Sequence, residues 1–268
     1  MLKVYEKENV ICAEGTIESI GQKVFVFLVD GMLIDAGPEN LKEDLISFYK
    51  SQSFDLVALT HSHEDHTGTA AWIQENISLP LYIHPKGIAI CREPGSYPKY
   101  RQITWGRREA FTAKPLQDTI RSRTLEWQVL YTPGHAEDHV SFFNEDTGIL
   151  FSGDLYVAPK TKVSMKSESV PQIMDSIRLL LSHDFKHLFC SHAGFIANGR
   201  EMLKKKLEFL EKLTNDVKTL DADGLSIEEI DQKLFPETYP IVTFSDHEWD
   251  SIHMVRSVLS DSIVANKK

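Results

Sequence analysis

The pattern of apolar segments predicts an α/β fold. Short apolar runs typical of buried strands, such as 54–60, 127–131 and 187–190, alternate with stretches that have helical spacing. Four of the predicted strands are followed closely by a His or Asp side chain. Loops that follow strands usually carry the chemistry of α/β enzymes, so the sequence predicts one site built from several strand ends.

The first sixty residues are expected to form mainly β-strands. Alternation at 24–29 and the turn Asp30-Gly31 predict a hairpin, and a further strand closes at 35–37. One helix is predicted at about 40–51. Asp35 is expected either to support the site or simply to form a turn.

The middle of the chain is less regular. A short strand at 79–84 ends at Pro85, and the segment 91–124 is rich in Arg, Pro and Tyr. We expect this segment to form a flap near the site. Its aromatic residues would either line a pocket or pack on the scaffold; they are Tyr97, Tyr100 and Trp105.

Helices dominate the predicted C-terminal part. An amphipathic helix at 170–181 begins at a proline, and a long Lys/Glu/Leu helix follows at 200–220. A second C-terminal helix starts at Ser226, which forms a capping box with Glu229. A third is expected from about Ser245 to Val264.

The densest group of polar side chains follows the strand at 54–60. It has an H-x-H-x-D-H pattern, formed by His61, His63, Asp65 and His66. The first two alternate and so share one side of an extended chain, whereas the last two follow a turn toward a predicted helix at 67–73. Imidazole and carboxylate ligands suit zinc, and also iron or manganese. The pattern predicts two pairs of ligands, each facing its own metal, with Glu64 as a spare.

Three downstream motifs add further ligand-type residues. His135 stands in T-P-G-H, where Pro133-Gly134 forces a tight turn. Asp154 ends an apolar strand in S-G-D, and His192 follows another in S-H-A-G. Asp138 or His139, just after His135, is expected to orient the site, and neither is expected to bind metal. Each motif alone is weak, but their combination strongly indicates a metal centre.

Together these motifs resemble those of the metallo-β-lactamase fold superfamily. The resemblance rests on the H-x-H-x-D-H run, T-P-G-H, S-G-D, S-H-A-G and the opening hairpin at 24–37, and it covers about residues 5–200. It is nearest to the glyoxalase II-like and lactonase-like hydrolases, because all seven ligand positions are filled. It implies a four-layer αββα sandwich at 1–199, the catalytic domain, and a helical C-terminal extension at 200–268 that covers the cleft.

The resemblance also implies the roles of the side chains. One metal is held by His61, His63 and His135, a second by Asp65, His66 and His192, and Asp154 bridges them. A hydroxide shared by two divalent metals, zinc or else iron or manganese, would attack a small ester, thioester or lactone. Asp65 and Tyr156 are the catalytic candidates. The Tyr156 hydroxyl would donate to a substrate oxyanion, or its ring would pack in the core.

The composition of the chain limits the classes of binding partner that we expect. The chain has 268 residues and a net charge of −10, which disfavours nucleic acid as a partner. Arginines such as Arg101 and Arg108 are expected on a solvated, salt-bridged surface. Three widely spaced cysteines and the absence of an apolar signal or membrane segment are typical of a cytoplasmic protein. We expect a small-molecule substrate and no membrane partner, and the sequence leaves the oligomeric state open, with a homodimer as one option.

Two other functions would use the same ligands. One is a mononuclear iron sulfur dioxygenase, and the other is a metal-containing protein that binds a metabolite without turning it over. A flavin-dependent oxidoreductase of this kind needs an additional flavin domain, for which the chain has no room. The complete ligand set, the acidic charge and the helical C-terminal part favour the hydrolase.

Overall fold

The first β-sheet contains seven strands in chain order. The computed structural model describes residues 2–18 and 21–265. The strands are β1 (Lys3–Lys7), β2 (Val10–Ile17), β3 (Gln22–Val29), β4 (Met32–Ile34), β5 (Leu56–Ala58), β6 (Leu81–Ile83) and β7 (Lys114–Pro115). Strands β1 to β4 are antiparallel, and β4 to β7 are parallel. The hairpin predicted at 24–37 is therefore confirmed as β3–β4, with register Leu28 to Leu33.

Among the described residues, the second sheet contains six strands, and a third sheet contains two. The strands of the second sheet are β8 (Thr119–Arg121), β9 (Glu126–Tyr131), β10 (Val140–Asn144), β11 (Ile149–Phe151), β13 (His187–Cys190) and β14 (Gly194–Ile196), in the spatial order β14-β13-β11-β10-β9-β8. Strand β12 (Ser164–Met165) pairs with β15 (Trp249–Asp250). The pairing of β11 with β13 is parallel, so their carboxyl ends meet at one edge of the sheet.

The helices predicted at about 40–51, 170–181 and 200–220 begin and end close to the predicted positions. They are α1 (Lys42–Ser51), α2 (Glu64–Thr67), α3 (Ala70–Asn76), α4 (Ile88–Cys91), α5 (Lys99–Trp105), α6 (Val170–Ser182), α7 (Gly199–Ala222), α8 (Ile227–Leu234), α9 (Pro240–Phe244) and α10 (Ile252–Ala265), with 3-10 turns at Glu39–Leu41 and Pro85–Gly87. Within the described residues no helix is both long and apolar enough to span a bilayer.

Three apolar clusters define four layers. Aromatic rings fill the space between the two sheets: the ring centroid of Phe27 lies 5.4 Å from that of Phe151 and 5.5 Å from that of Phe189. A second cluster joins the outer face of the first sheet to α1 and α3, and a third joins the outer face of the second sheet to α6, α7, α8 and α10. The predicted αββα sandwich is confirmed.

The C-terminal helices share a core with the sandwich. Buried leucines of α7, among them Leu203 and Leu210, belong to the same cluster as Ile177 of α6 and Leu188 of β13. The capping box of α8 is confirmed, because Ser226 Oγ accepts from the Glu229 amide and the Glu229 side chain accepts from the Ser226 amide.

The start of the last helix is predicted wrongly. It begins at Ile252 instead of near Ser245, because Trp249 and Asp250 pair with Met165 and Ser164 as the strand β15. This partner lies more than 80 positions earlier in the chain, so local periodicity carries no signal for it.

Candidate metal centre

The seven side chains singled out from the sequence come together in two groups. The first contains His61, His63 and His135, and the second contains Asp65, His66, Asp154 and His192. Within each group, one ligand atom of every residue lies within 4.8 Å of the others. They reach this point from the carboxyl ends of β5, β9, β11 and β13, so the predicted meeting of four strand ends occurs.

The first group has the shape of a three-nitrogen metal site. His63 Nδ1 lies 3.1 Å from His61 Nε2 and 3.1 Å from His135 Nε2. His61 is fully buried and His135 is buried. Three nitrogens that face one point leave a fourth position open, which is the arrangement of a catalytic rather than a closed structural zinc site.

The second group combines two carboxylates with two imidazoles. His192 Nε2 lies 3.1 Å from Asp65 Oδ2 and 3.1 Å from Asp154 Oδ2. The same Asp154 oxygen lies 3.4 Å from His66 Nε2 and 3.4 Å from His135 Nε2, which belongs to the first group. Asp154 therefore lies between the groups, in the position expected of a bridging ligand.

In four of the five histidines, the ring nitrogen that faces away from the site has a partner. The contacts are His61 Nδ1 with Thr60 Oγ1 at 3.0 Å, His66 Nδ1 with Asp35 Oδ2 at 2.8 Å, His135 Nδ1 with Glu168 Oε1 at 2.7 Å and His192 Nδ1 with the Lys23 carbonyl at 2.6 Å. Such partners fix ring orientation and tautomer in metal sites. Asp35 also accepts from the Thr60 amide at 2.8 Å, and of its two expected roles these contacts favour support of the site.

Buried polar atoms without partners show that the site fits a cation. His66 Nε2 and Asp154 Oδ1 are buried and have no hydrogen-bond partner among the described residues. Leaving such atoms unpaired is costly. Because both atoms belong to residues of the second group, a divalent metal ion held by that group would remove the penalty, and the donor set of imidazole and carboxylate suits zinc, iron or manganese.

The electrostatics of the two groups differ. Burial, reinforced by the neighbouring imidazoles, holds the pKa of His61 and of His63 well below its ordinary value. Burial also acts to lower the pKa of His66, but the carboxylates of Asp154 and Asp65 outweigh it and raise that pKa well above its ordinary value. His61 and His63 therefore present neutral imidazoles, which are the form that binds metal.

His139 supports the turn that carries Asp154. Its Nε2 accepts from the Asp154 amide at 3.1 Å, and its Nδ1 lies 2.9 Å from Thr132 Oγ1. Burial lowers the pKa of His139 to about 3, so the ring is neutral and can accept this bond. The expectation that His139 orients the site without binding metal agrees with these contacts.

Tyr156 lies on the outer side of the second sheet. Its side chain is 4% exposed and belongs to the apolar cluster formed with α6 and α7. Its carbonyl accepts from Lys206 Nζ at 2.6 Å. The cluster explains why the ring is buried, and the role of its hydroxyl in catalysis stays a prediction.

An ion-pair group beside the ligands was missed from the sequence. Arg101 of α5 donates to both carboxylate oxygens of Glu64, at 2.6 and 2.7 Å, and to Glu248 at 3.1 Å. Glu64 lies between His63 and Asp65 in the sequence, and it is only 2% exposed. Arg101 forms salt bridges as expected, but the expected solvated surface position is wrong: its side chain is 13% exposed, because a buried carboxylate needs a cation and Arg101 supplies it. Its partners lie 37 and 147 positions away, so no local signal could reveal them.

The segment 91–124 lies partly against the site. The Trp105 ring centroid is 6.0 Å from that of His192. Tyr97 instead packs on the scaffold, since its hydroxyl donates to the Gly106 carbonyl at 2.8 Å and accepts from the Arg108 amide at 2.7 Å. Arg108 is itself buried, so its expected surface position is also wrong. Of the aromatic residues proposed as pocket lining, Trp105 is the one in contact with a ligand residue.

Comparison with known proteins agrees with the fold and the motifs. The Lactamase_B family model, described as the metallo-beta-lactamase superfamily, matches residues 21–192. A probable metallo-hydrolase, YqjP, of Bacillus subtilis is 27% identical over 81% of this chain and 82% of its own length. A hydroxyacylglutathione hydrolase of Idiomarina loihiensis is 28% identical over 59% of this chain and 54% of its own length.

Solved structures show the same fold. A metallo-beta-lactamase family protein of Thermus thermophilus, TTHA1429, has a TM-score of 0.69 at 19% identity and covers 96% of this chain and 95% of its own. A beta-lactamase domain protein of Burkholderia ambifaria has a TM-score of 0.74 at 15% identity over 98% and 89%. The predicted enzyme class, a metal-dependent hydrolase, agrees with the family and its relatives. The chain therefore belongs to the metallo-beta-lactamase superfamily.

Proposed function

We propose that this protein is a dinuclear metal-dependent hydrolase that cleaves a small ester, thioester or lactone. The observation that carries the proposal is the position of Asp154, whose Oδ2 lies within 3.4 Å of ligand nitrogens from both groups. Two separate sites would not need a carboxylate between them. The similarity to a hydroxyacylglutathione hydrolase supports a carbonyl substrate.

Two divalent cations, zinc or else iron or manganese, would provide a water-derived nucleophile at neutral pH and polarise the scissile carbonyl. The side chains supply the rest. His61, His63 and His135 would hold one cation through neutral imidazoles, and Asp65, His66 and His192 would hold the other, with Asp154 shared between them. Because the nucleophile would come from water, no serine or cysteine nucleophile is needed.

The C-terminal extension at 200–268 is proposed as a cover for the catalytic domain at 1–199. Glu248, in the extension, accepts from Arg101, and Arg101 binds Glu64 within the ligand loop. Trp249 and Asp250 also pair with β12, which lies just before Glu168. These contacts connect the extension to the ligand loop and to the segment that leads to Glu168, and they support a role for it in shaping the cleft and limiting access of water.

A metal-reconstitution experiment tests the function. Apo protein would be loaded with zinc, iron(II) or manganese, the bound metal would be counted, and kcat/KM would be measured on esters, thioesters, lactones and phosphodiesters. We expect two metal ions per chain and turnover of a carbonyl substrate. Binding of less than one transition metal per chain, or oxygen consumption on a persulfide in place of hydrolysis, would contradict the proposal.

A further inference from the structure

Glu168 holds the one ligand of the first group that comes from outside the H-x-H-x-D-H run. His135 Nδ1 donates to Glu168 Oε1 at 2.7 Å, and both side chains are 8% exposed. The opposite ring nitrogen, Nε2, faces His63 and Asp154. Because a neutral imidazole has only one N–H, this hydrogen bond directs the lone pair of Nε2 toward the metal position.

The backbone around Glu168 also holds the turn that carries His135. The Ser169 amide donates to the Gly134 carbonyl at 2.8 Å, and Ser176 Oγ donates to the Pro133 carbonyl at 2.7 Å. Gly134 has φ of +132°, and a Cβ there would lie 2.6 Å from the Ile173 amide nitrogen. The turn therefore packs directly on the first turns of α6, and the same segment fixes both the backbone and the ring of His135.

A buried cation of α7 lies near the same carboxylate. Lys206 is 6% exposed, and its Nζ donates to the Tyr156 carbonyl at 2.6 Å. Burial lowers the pKa of Lys206, and the carboxylates of Glu168 and Asp154 oppose that shift. Helix α7 is thus joined by the Lys206 hydrogen bond to the loop that follows Asp154.

Each of the two ligand groups has a carboxylate that contacts the outer ring nitrogen of one of its histidines. Asp35 contacts the Nδ1 of His66 in the second group, as Glu168 contacts the Nδ1 of His135 in the first. Each group therefore contains one histidine whose outer nitrogen is held by a buried carboxylate, which also makes the imidazole a stronger donor to metal. Asp35 is part of the strand-end turn after β4, whereas Glu168 belongs to the segment that leads into α6.

We propose that Glu168 is a positioning residue of the metal centre: it fixes the tautomer and orientation of His135 and thereby sets the metal affinity of the first group. This inference rests on the dinuclear centre of the proposed function. Glu168 would touch neither metal nor substrate and would act only through His135.

Zinc affinity of the apo protein tests the proposal without using activity. Wild-type protein, Glu168→Ala and Glu168→Gln would be titrated with Zn²⁺ against a chromophoric chelator. We expect Glu168→Ala to bind one of two ions about 10–100-fold more weakly, the usual effect of removing such a partner. Glu168→Gln keeps an acceptor but loses the charge, so a smaller loss is expected. Glu137→Ala serves as the matched control, because Glu137 is two residues from His135 but its side chain is 89% exposed.

A second measurement separates positioning from packing. The ¹⁵N shifts of His135 in the apo protein report its tautomer, and we expect the Nδ1–H form in the wild type and a mixture in Glu168→Ala. A folded Glu168→Ala protein with wild-type zinc affinity and tautomer would overturn the proposal. If that variant does not fold, unchanged affinity in a folded Glu168→Gln protein would overturn it. Wild-type protein that binds no zinc would instead refute the proposed function.

Discussion

At the residue scale, the ligand-type histidines contact neighbouring side chains that fix the orientation of their rings. His61 follows Thr60, whose hydroxyl contacts its ring, and Asp35 binds both Thr60 and His66. Catalytic metal sites depend on such supports, because a ligand that rotates freely binds metal weakly. The residues around the seven ligands are therefore as informative about the site as the ligands themselves.

The second group provides the sharpest test of a two-metal mechanism. Asp65→Ala or His66→Ala removes one ligand of that group and leaves the first group intact, so we expect one metal per chain and a loss of hydrolysis by several orders of magnitude. Metal analysis and kcat would be measured beside Glu145→Ala, a change at an exposed turn. Near-normal turnover in both ligand variants would exclude the two-metal account.

Tyr156→Phe separates the two readings of that residue. If the hydroxyl donates to an oxyanion, kcat should fall about 10–100-fold with little change in stability. The position of the ring in the apolar cluster with α6 and α7 instead supports packing, which the phenylalanine preserves. Steady-state kinetics on the substrate found by the reconstitution experiment would decide, and an unchanged kcat would remove Tyr156 from the catalytic residues.

At the element scale, α5 connects parts of the chain that are distant in sequence. Arg101 joins α2, through Glu64, to the segment before β15, through Glu248. Trp105 at the end of α5 lies beside His192. Helix α5, although it has only seven residues, therefore contacts both the ligand loop and the C-terminal extension.

Removing one partner of the Glu64–Arg101 pair should strongly destabilise the fold. Arg101→Met leaves Glu64 buried without its cation, and we expect the free energy of unfolding to fall by about 3–5 kcal/mol. The double variant Arg101→Met/Glu64→Gln should recover most of this loss, since the uncompensated charge is gone. Urea denaturation of the wild type, Arg101→Met, Glu64→Gln and the double variant forms a double-mutant cycle. The cycle measures the coupling free energy between the two side chains. Additive losses would show that the pair does not act as a unit.

At the scale of the whole molecule, the site gathers two buried carboxylates and five histidines at the edge between two sheets. The core on either side is apolar, with rings of Phe27, Phe151 and Phe189 packed between the sheets. The fold therefore stabilises a polar cluster that is poorly satisfied without a cation. Metal binding and folding stability should be coupled in this protein.

Metal removal should destabilise the folded chain. Ligands that bind only the native state add about 2.7 kcal/mol at 100 times their Kd, which for a chain of this size corresponds to roughly 5–10 °C in Tm. We expect chelation to lower Tm by this order and zinc to restore it. Magnesium, which prefers oxygen ligands, should not restore it. A Tm that is unaffected by chelator would contradict the coupling.

The sequence alone determined the α/β class, the resemblance to the family and the ligand-type residues, and that resemblance implied the four layers. Apolar periodicity reports burial directly, and the H-x-H-x-D-H run, T-P-G-H, S-G-D and S-H-A-G are each contiguous. Strand ends that meet at one sheet edge then place His135, Asp154 and His192 near the run.

The tertiary structure alone decided which groups surround those ligands. The contacts of Glu168 with His135, of Arg101 with Glu64 and Glu248, and of Trp249 with Met165 join residues 33 to 147 positions apart. Glu and Arg side chains are usually solvated, so their types do not announce a buried partner. Burial of such a pair depends on how the chain packs in three dimensions, and that information is not local in the sequence.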